Sequence, residues 1–457
     1  MIEGLKPYAE YKESGIPWAR SLPAHWVTKR GKSYLVAIDQ RSKAGKEELL
    51  TVSTARGVVP RNSAKVTMFK AESYAGHKLC WPGDLVINSL WAWAGGLGVA
   101  QHHGIISTAY SVYRPRPSAQ MIPRFLHELV RSSPFHWELQ VRSKGVWISR
   151  LQLTDTSFLD APIPLPPPDE QAAIVRFLDH ANRKIDGFIR AKRKLIGLLN
   201  EQKQAIIHRA VTRGLHPDVP LKPSGIPWLG DIPKHWETPL NRQLFRENVR
   251  QHNGKTERQL SLSQRDGLIA TDDMKERSLQ TSSFDNWKVT LPGDLVLNRF
   301  KAHLGVFFAS TLRGIVSFHY GVFEPQRKLN TKYFELLCHT ASYKVIYAGR
   351  SNGMTVGLQN LSNQNFYGVR SIVPPLNEQN EIVTYSETAT VDLNTAIART
   401  EREIALMQEY RTRLTADIVT GKLDVREAAT TLPELPNAPS AEPATDEAME
   451  EIEESEE

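Results

Sequence analysis

The sequence predicts an α/β protein: two mixed α/β domains separated by a long antiparallel two-helix coiled coil and related by an internal pseudo-two-fold repeat. Three observations lead there. Ordered landmarks recur at a nearly constant offset along the chain. Pro-Gly-Asp turns open onto short apolar runs in both copies. Each copy then passes through a proline-rich hinge into a long stretch whose apolar residues alternate at spacings of four and three.

The repeat is the primary signal, because a duplicated unit fixes the domain count before any local reading. Ser14-Gly15-Ile16-Pro17-Trp18 returns as Ser224-Gly225-Ile226-Pro227-Trp228, and Leu22-Pro23-Ala24-His25-Trp26 as Ile232-Pro233-Lys234-His235-Trp236. Pro82-Gly83-Asp84-Leu85-Val86-Ile87-Asn88 pairs with Pro292-Gly293-Asp294-Leu295-Val296-Leu297-Asn298, and Gly104 to Ser107 with Gly314 to Ser317, all at an offset of 210. Later the offset is 208, where Pro167-Pro168-Asp169-Glu170-Gln171 meets Pro375-Leu376-Asn377-Glu378-Gln379. Between the landmarks, Arg41 to Lys78 and Asn241 to Lys288 have little in common. A shared scaffold with unlike loops suggests one fold reading two targets; drift after duplication is the alternative.

The apolar runs Asp84–Asn88 and Asp294–Asn298 follow turn residues as strands do, and 123–132 and 331–340 read as helices. After the hinge 162–168 no proline occurs until Pro217. Asp169 is a plausible N-cap, with Glu170 in the first turn. Ile174, Leu178, Ala181, Ile185, Phe188, Leu195, Leu199 and Ile206 then form a coiled-coil seam, with Lys192 and Gln202 at its two polar positions. The second copy offers Ile382, Ala389, Leu393, Ile397, Ile404, Met407, Leu414 and Ile418, less regularly spaced. Such a stripe needs a partner. The two helical sectors, 169–221 at +4 and 377–433 at −4, suit one another in an antiparallel pair. The alternative is that each helix packs on its own domain.

Composition narrows the function. The chain has 457 residues, a formal charge of +7 and two cysteines, Cys80 and Cys338. Two cysteines exclude a disulfide framework and a cysteine-based zinc ribbon, and their sparseness fits a reducing cytoplasm. No apolar run reaches the ~18 residues of a membrane span, and no secretory signal is visible at the N-terminus. Charge is polarised: 1–168 carries +9, 222–376 carries +8, and 434–457 has ten acids and no Lys or Arg. Two basic blocks favour a polyanionic partner such as nucleic acid; a merely soluble basic surface is the plainer account.

Catalytic motifs are missing. Gly254-Lys255-Thr256 lacks the upstream glycine of a phosphate-binding loop. No Asn/Asp-Pro-Pro-Tyr/Phe motif of an adenine methyltransferase occurs. Gly95-Gly96-Leu97-Gly98 is a lone glycine cluster, and adjacent His102 and His103 point apart in extended chain. Asp169 and Glu201-x-Lys203 imitate a nuclease motif but lie ~45 Å apart along one helix. The sequence reads as a binding and scaffolding chain, not an enzyme.

Taken together, the paired Ser-Gly-Ile-Pro-Trp and Pro-x-His-Trp motifs, Pro-Gly-Asp-Leu-Val, the Glu-Gln after each hinge, and the closing Val211-Thr212 and Val419-Thr420-Gly421-Lys422-Leu423 resemble the specificity subunit of type I restriction–modification systems. The resemblance covers residues ~11–425 in order. It implies two target-recognition domains, about 24–160 and 234–370, each reading half of a bipartite, asymmetric double-stranded DNA site. It implies spacer helices that fix the half-site separation. The corresponding segments are 1–160 for the N-terminal part and first domain, 161–221 for the first spacer helix and linker, 222–370 for the second domain, 371–425 for the second spacer helix, and 426–457 for an acidic disordered tail. The partners implied are two modification (methyltransferase) subunits and the restriction subunits, in a cytoplasmic, nucleoid-associated complex. S-adenosylmethionine would sit in the modification subunits, and ATP and Mg²⁺ in the restriction subunits, with no cofactor on this chain. The tail lies outside the pattern; it either screens the basic domains or adds solubility.

Base reading needs Arg on guanine or Asn and Gln on adenine in the major groove, whereas Lys and Arg on phosphates position the protein. The candidates in the first domain are Ser89, Trp91 and Trp93 after the Pro-Gly-Asp strand, then Arg142, Lys144, Trp147 and Arg150. By repeat alignment the second offers Arg299, Lys301 and His303, then Arg350, Asn352 and Gln359. Asn88 and Asn298 are shared by both copies and fit a turn better than a reader. For Trp91 and Trp93, core packing from one face of a strand competes with DNA contact. Trp18, Trp26, Trp228 and Trp236 suit packing anchors at the entrance of each domain.

Overall fold

A computed structural model describes residues 5–63, 73–145, 151–226, 229–252, 257–264, 267–274, 284, 286–353 and 359–433. Trp147, Arg150, Trp228 and residues 434–457 of the expected tail 426–457 lie outside the described residues. The start of that tail is not disordered, because Arg426–Thr431 forms a short helix whose Ala429 is buried in the first unit's core. The architecture is the expected one: two mixed α/β domains and two long helices that pair antiparallel. By compactness the chain divides into Met1–Lys194 with Glu401–Glu457, and Leu195–Thr400. Each unit therefore holds one domain together with a part of both long helices.

In the first unit a four-stranded antiparallel sheet runs in the order Leu35–Ile38, Tyr110–Pro115, Leu85–Asn88, Leu97–Val99. Both faces are covered, which is why Leu85-Val86-Ile87 is apolar without alternation. Leu85, Ile87 and Tyr113 face the main core with Phe125, Leu129, Phe135 and Phe158. Val86 and Val112 face a smaller core with Leu50, Val52, Val58 and Cys80. The second unit repeats the order with Phe245–Glu247, Tyr320–Pro325, Leu295–Asn298 and Phe307–Ala309. Its helices occupy Thr331–Cys338 and Ala341–Arg350, matching Pro123–Val130 and Ser133–Arg142.

Within the segments that diverge most in sequence, the described residues still build matching hairpins. Leu50–Ser53 pairs with Gly57–Pro60, and Leu260–Ser263 with Gly267–Ala270, as equivalent hairpins. Gly57 and Gly267 both take a left-handed φ, +75° and +82°, where a side chain would be strained. What recurs here is the burial pattern and a turn glycine; the identities do not.

The Pro-Gly-Asp motif is a turn locked by its aspartate. The backbone N–H of Trp81 donates to Asp84 Oδ2 at 2.9 Å, and Leu291 N–H donates to Asp294 Oδ2 at 2.8 Å. Both carboxylates are buried and each meets a guanidinium from a different place. Arg114 donates to both Asp84 oxygens at 2.7 and 2.8 Å. In the second copy the matching position is Glu324, and Arg250 bridges Asp294 and Glu324 at 2.6 and 2.8 Å. The charge requirement is kept although the residue that meets it has moved, as a buried carboxylate demands.

The long helices span Pro168–Arg213 and Leu376–Val419, 46 and 44 residues. Asp169 is not the N-cap: Pro167 is, since its carbonyl accepts from Gln171 N–H, and Pro168 takes the first helical position. Proline there gives up only a donor that the first turn cannot use. In the first unit Arg411 pairs with Asp186, and Lys192 with Glu403 at 2.6 Å. In the second Lys203 donates to Asn394 Oδ1 at 2.7 Å. In the first unit residue numbers rise on one helix as they fall on the other, so the pairing is antiparallel. In the second, Ile207 and Val211 share a core with Ile382 and Val383, beyond the Lys203–Asn394 contact in the same antiparallel sense.

The seam departs from the heptad toward the C-terminal end of the first helix. Ile174, Leu178, Ala181 and Ile185 are buried as expected, but Leu195 is exposed, and Leu199 and Ile206 are half-buried. Ile189 and Ile207 are buried instead. That shift follows the 3.6-residue period of a straight helix, which drifts from a 3.5-residue seam by ~20° per heptad. In the second helix Leu414 and Ile418 are buried, and Leu393, Ile397, Ile404 and Met407 are half-buried. Its inner stripe also carries Ser386, Thr390 and Thr400. The Thr390 and Thr400 hydroxyls donate to the carbonyls four residues back, at 2.8 and 2.7 Å, which satisfies them without an outside partner.

Candidate nucleic-acid interface

Each domain is fixed to its following helix by one glutamate. Glu170 Oε1 accepts from Trp26 Nε1 at 2.8 Å and from Tyr8 Oη at 2.6 Å, and Oε2 lies 2.6 Å from His25 Nε2. Burial and the bond to Glu170 push the Tyr8 hydroxyl pKa up, so it stays a donor. Glu378 takes His235 Nε2 at 2.8 Å and Trp236 Nε1 at 3.1 Å. Both carboxylates sit in the first turn, where the helix dipole favours negative charge. The adjacent glutamines tie the hinge down: Gln171 Oε1 accepts from Ile122 N–H at 2.7 Å, and Gln379 Oε1 from Asn330 N–H at 2.9 Å. The His-Trp and Glu-Gln motifs are therefore two halves of one joint.

The end of the other helix completes each joint. Gly421 has φ +73°, and a Cβ there would lie 2.4 Å from Pro23 Cδ. Gly214 has φ +74°, and a Cβ there would lie 3.1 Å from Glu378 Oε1 and 3.2 Å from Trp236. Both glycines end their helices against a buried tryptophan.

At the opposite end of each sheet the two candidate clusters converge. Ser89 carbonyl accepts from Leu153 N–H at 2.9 Å, and Arg299 carbonyl from Leu361 N–H at 3.0 Å. Beside these contacts, Lys144 bridges Gln152 and Asn352 bridges Asn360, antiparallel and at equivalent positions. Lys144 and Asn352 are exposed at these bridges, and Lys301 and Arg350 are exposed as well.

Other candidates are committed elsewhere. Arg299 donates to Glu247 Oε1 at 2.8 Å and is mostly covered; Lys288 meets the same oxygen at 3.0 Å. Arg142 is held by Glu138 at 2.6 Å within its own helix. Ser89 is buried. His303 Nδ1 and Gln359 Oε1 are buried atoms without a partner among the described residues. Trp91 and Trp93 are not on a strand face. They flank Ala92 at a 3-10 turn, half-buried and stacked at 5.9 Å, with Trp93 Nε1 donating to Leu90 O at 3.0 Å. Asn298 Oδ1 caps that turn in the second copy by accepting from Phe300 N–H at 3.0 Å, as a shared turn residue should. Trp26 and Trp236 are fully buried anchors, while Trp18 is half-buried against Phe135.

Replacing Arg299 by Ala should therefore cost stability, about 1–3 kcal/mol for a partly buried charge-assisted bond, and should leave any DNA target unchanged. Thermal denaturation beside target mapping checks this; an altered target with unaltered stability would make Arg299 a base reader after all.

A duplicated mixed α/β domain, jointed to paired antiparallel helices, is the class this fold defines. It is the fold of a solved chain from a type I restriction–modification system, in work on that system's complex assembly and conformational transition. The likeness has a TM-score of 0.59 at 17% identity, covering 88% of this chain and 99% of that one. Two further solved structures align over most of the chain at low scores. The HsdS subunit from Thermoanaerobacter tengcongensis has 17% identity, covering 87% of this chain and 96% of that one, at a TM-score of 0.38. The type I restriction–modification S subunit from M. genitalium has 10% identity, covering 86% and 96%, at 0.32. No family model and no curated protein matches the chain.

Proposed function

We propose that this chain is the DNA sequence-specificity subunit of a type I restriction–modification complex, reading a bipartite, asymmetric site with its two domains. The observation that carries the reading is one backbone with two chemistries. The corner 89–93 and the bridge between Lys144 and Gln152 are matched by 299–303 and by the bridge between Asn352 and Asn360, on equivalent hydrogen bonds. Unlike side chains on a like scaffold are what two different half-sites require. The basic excess of both domains supports binding to the phosphate backbone. The paired helices act as spacer and scaffold for the modification and restriction subunits. The chain itself is non-catalytic and works in the cytoplasm, bound to the nucleoid through DNA.

Co-expression with a modification subunit and mapping of the methylated adenines tests this. One bipartite motif is expected, with binding that weakens steeply as salt rises. Methylation or binding without sequence preference would leave only a helical interaction scaffold.

A further inference from the structure

The second domain carries an exposed aromatic corner that none of its other features explains. Phe300 is 42% exposed and Phe318 is 50% exposed. His319 lies between them, 5.5 Å from the Phe300 ring and 3.9 Å from the Phe318 ring. Phe300 follows the strand Leu295–Asn298, and Phe318 and His319 form the turn before Tyr320–Pro325. The corner continues directly into the candidate interface, because the carbonyl of Arg299, the residue before Phe300, holds the N–H of Leu361.

The first domain builds the same two turns with other side chains. Ser317 Oγ accepts from His319 N–H at 3.4 Å, and Ser107 Oγ from Ala109 N–H at 3.3 Å. Ser317 and Ser107 carbonyls accept from Tyr320 and Tyr110 N–H at 2.9 and 3.1 Å. On that common frame Phe318-His319 stand where Thr108-Ala109 do, and Phe300 stands where Leu90 does. The aromatic pair is not needed to make the turn, so its reason lies outside the domain.

Charge indicates what covers it. Glu247, the nearby carboxylate, is met by both Lys288 and Arg299, and Lys301 projects exposed beside Phe300. The corner is apolar with a net positive rim, which suits a polyanion with an apolar feature. In the major groove of DNA the one apolar group that a base pair presents is the thymine C5-methyl.

We propose that Phe300 and Phe318 form a thymine-methyl reader in the second half-site, with Lys301 on the adjacent phosphate. The inference rests on the DNA-reading function proposed above. The test uses the complete complex and synthetic duplexes carrying its mapped site. Each thymine is replaced in turn by deoxyuridine, which removes only the methyl group. At one or two thymines of one half-site the affinity should fall about four-fold, the worth of one buried methyl. Phe300→Ala or Phe318→Ala should cause a similar loss on the thymine duplex. Combined with deoxyuridine at the same position, the variant should add nothing further. Both side chains are exposed, so the variants should keep the wild-type melting temperature.

Deoxyuridine that is neutral at every position overturns the proposal, and so do strictly additive losses. A site without an A·T pair in the half-site read by this domain overturns it too. An equal loss on all duplexes would make the corner a backbone contact or a protein surface instead. In each of those cases a sequence-selective complex leaves the general function standing. A wild-type complex without sequence preference defeats the function itself, and this inference with it.

Discussion

Trp26→Ala should destabilise the first unit by about 3–5 kcal/mol, the usual cost of removing a large, fully buried aromatic side chain. Trp26 is completely buried, packs edge-on against Phe125 and Tyr8, and donates to Glu170. Its loss removes apolar area from the main core. It also takes one donor from a buried carboxylate that sits where domain, first helix and the end of the second helix meet. Trp26→Phe keeps most of the volume and loses the bond, so it should cost less, about 1–3 kcal/mol. Trp236→Ala should do the same in the second unit through Glu378. Hydrogen exchange resolved along the chain is the fitting measurement, because two units need not unfold together. Protection should fall first within residues 5–194 and 401–433 for Trp26→Ala. An unchanged pattern would show that the joint does not carry this load.

Exchanging residues 24–160 for the matching segment of a subunit with another target should change one half of the methylated motif. The other half and the spacing should stay as they were. The segment begins just before the His25-Trp26 anchor and ends before the hinge, so a donor that carries its own His-Trp pair meets Glu170 unchanged. Methylome sequencing of the exchanged complex checks this. A motif altered in both halves would mean that the domains do not read independently.

The anchors and the strands were legible in sequence because duplication recorded them twice. Pro-Gly-Asp, His-Trp and Glu-Gln each recur, and each proves to be a contact that one residue type supplies: a buried carboxylate, an indole N–H, a capping amide. The equivalent hairpins 50–60 and 260–270 were not legible, since burial alternation and one turn glycine survive there while identities do not. Among the interface candidates the fold separates open side chains from committed ones. Lys144, Lys301, Arg350 and Asn352 lie exposed, whereas Arg142 pairs with Glu138 one turn back on its own helix, and Arg299 pairs with Glu247, which only the fold brings beside it. Leu90, Phe300 and Phe318 are exposed although an apolar residue is expected inside, and no local sequence pattern marks them.

The sequence by itself determined the duplication, the mixed α/β character of each half, the two long helices and the absence of the sequence motifs of a catalyst. These are properties of periodicity and of residues whose backbone or bonding demands are local. Only the tertiary structure decided which face of each helix is buried, where the register departs from the heptad, and which charged side chains are already neutralised. Those outcomes depend on partners distant in the chain. A guanidinium beside a buried carboxylate and one open to a phosphate are the same residue until the fold places them.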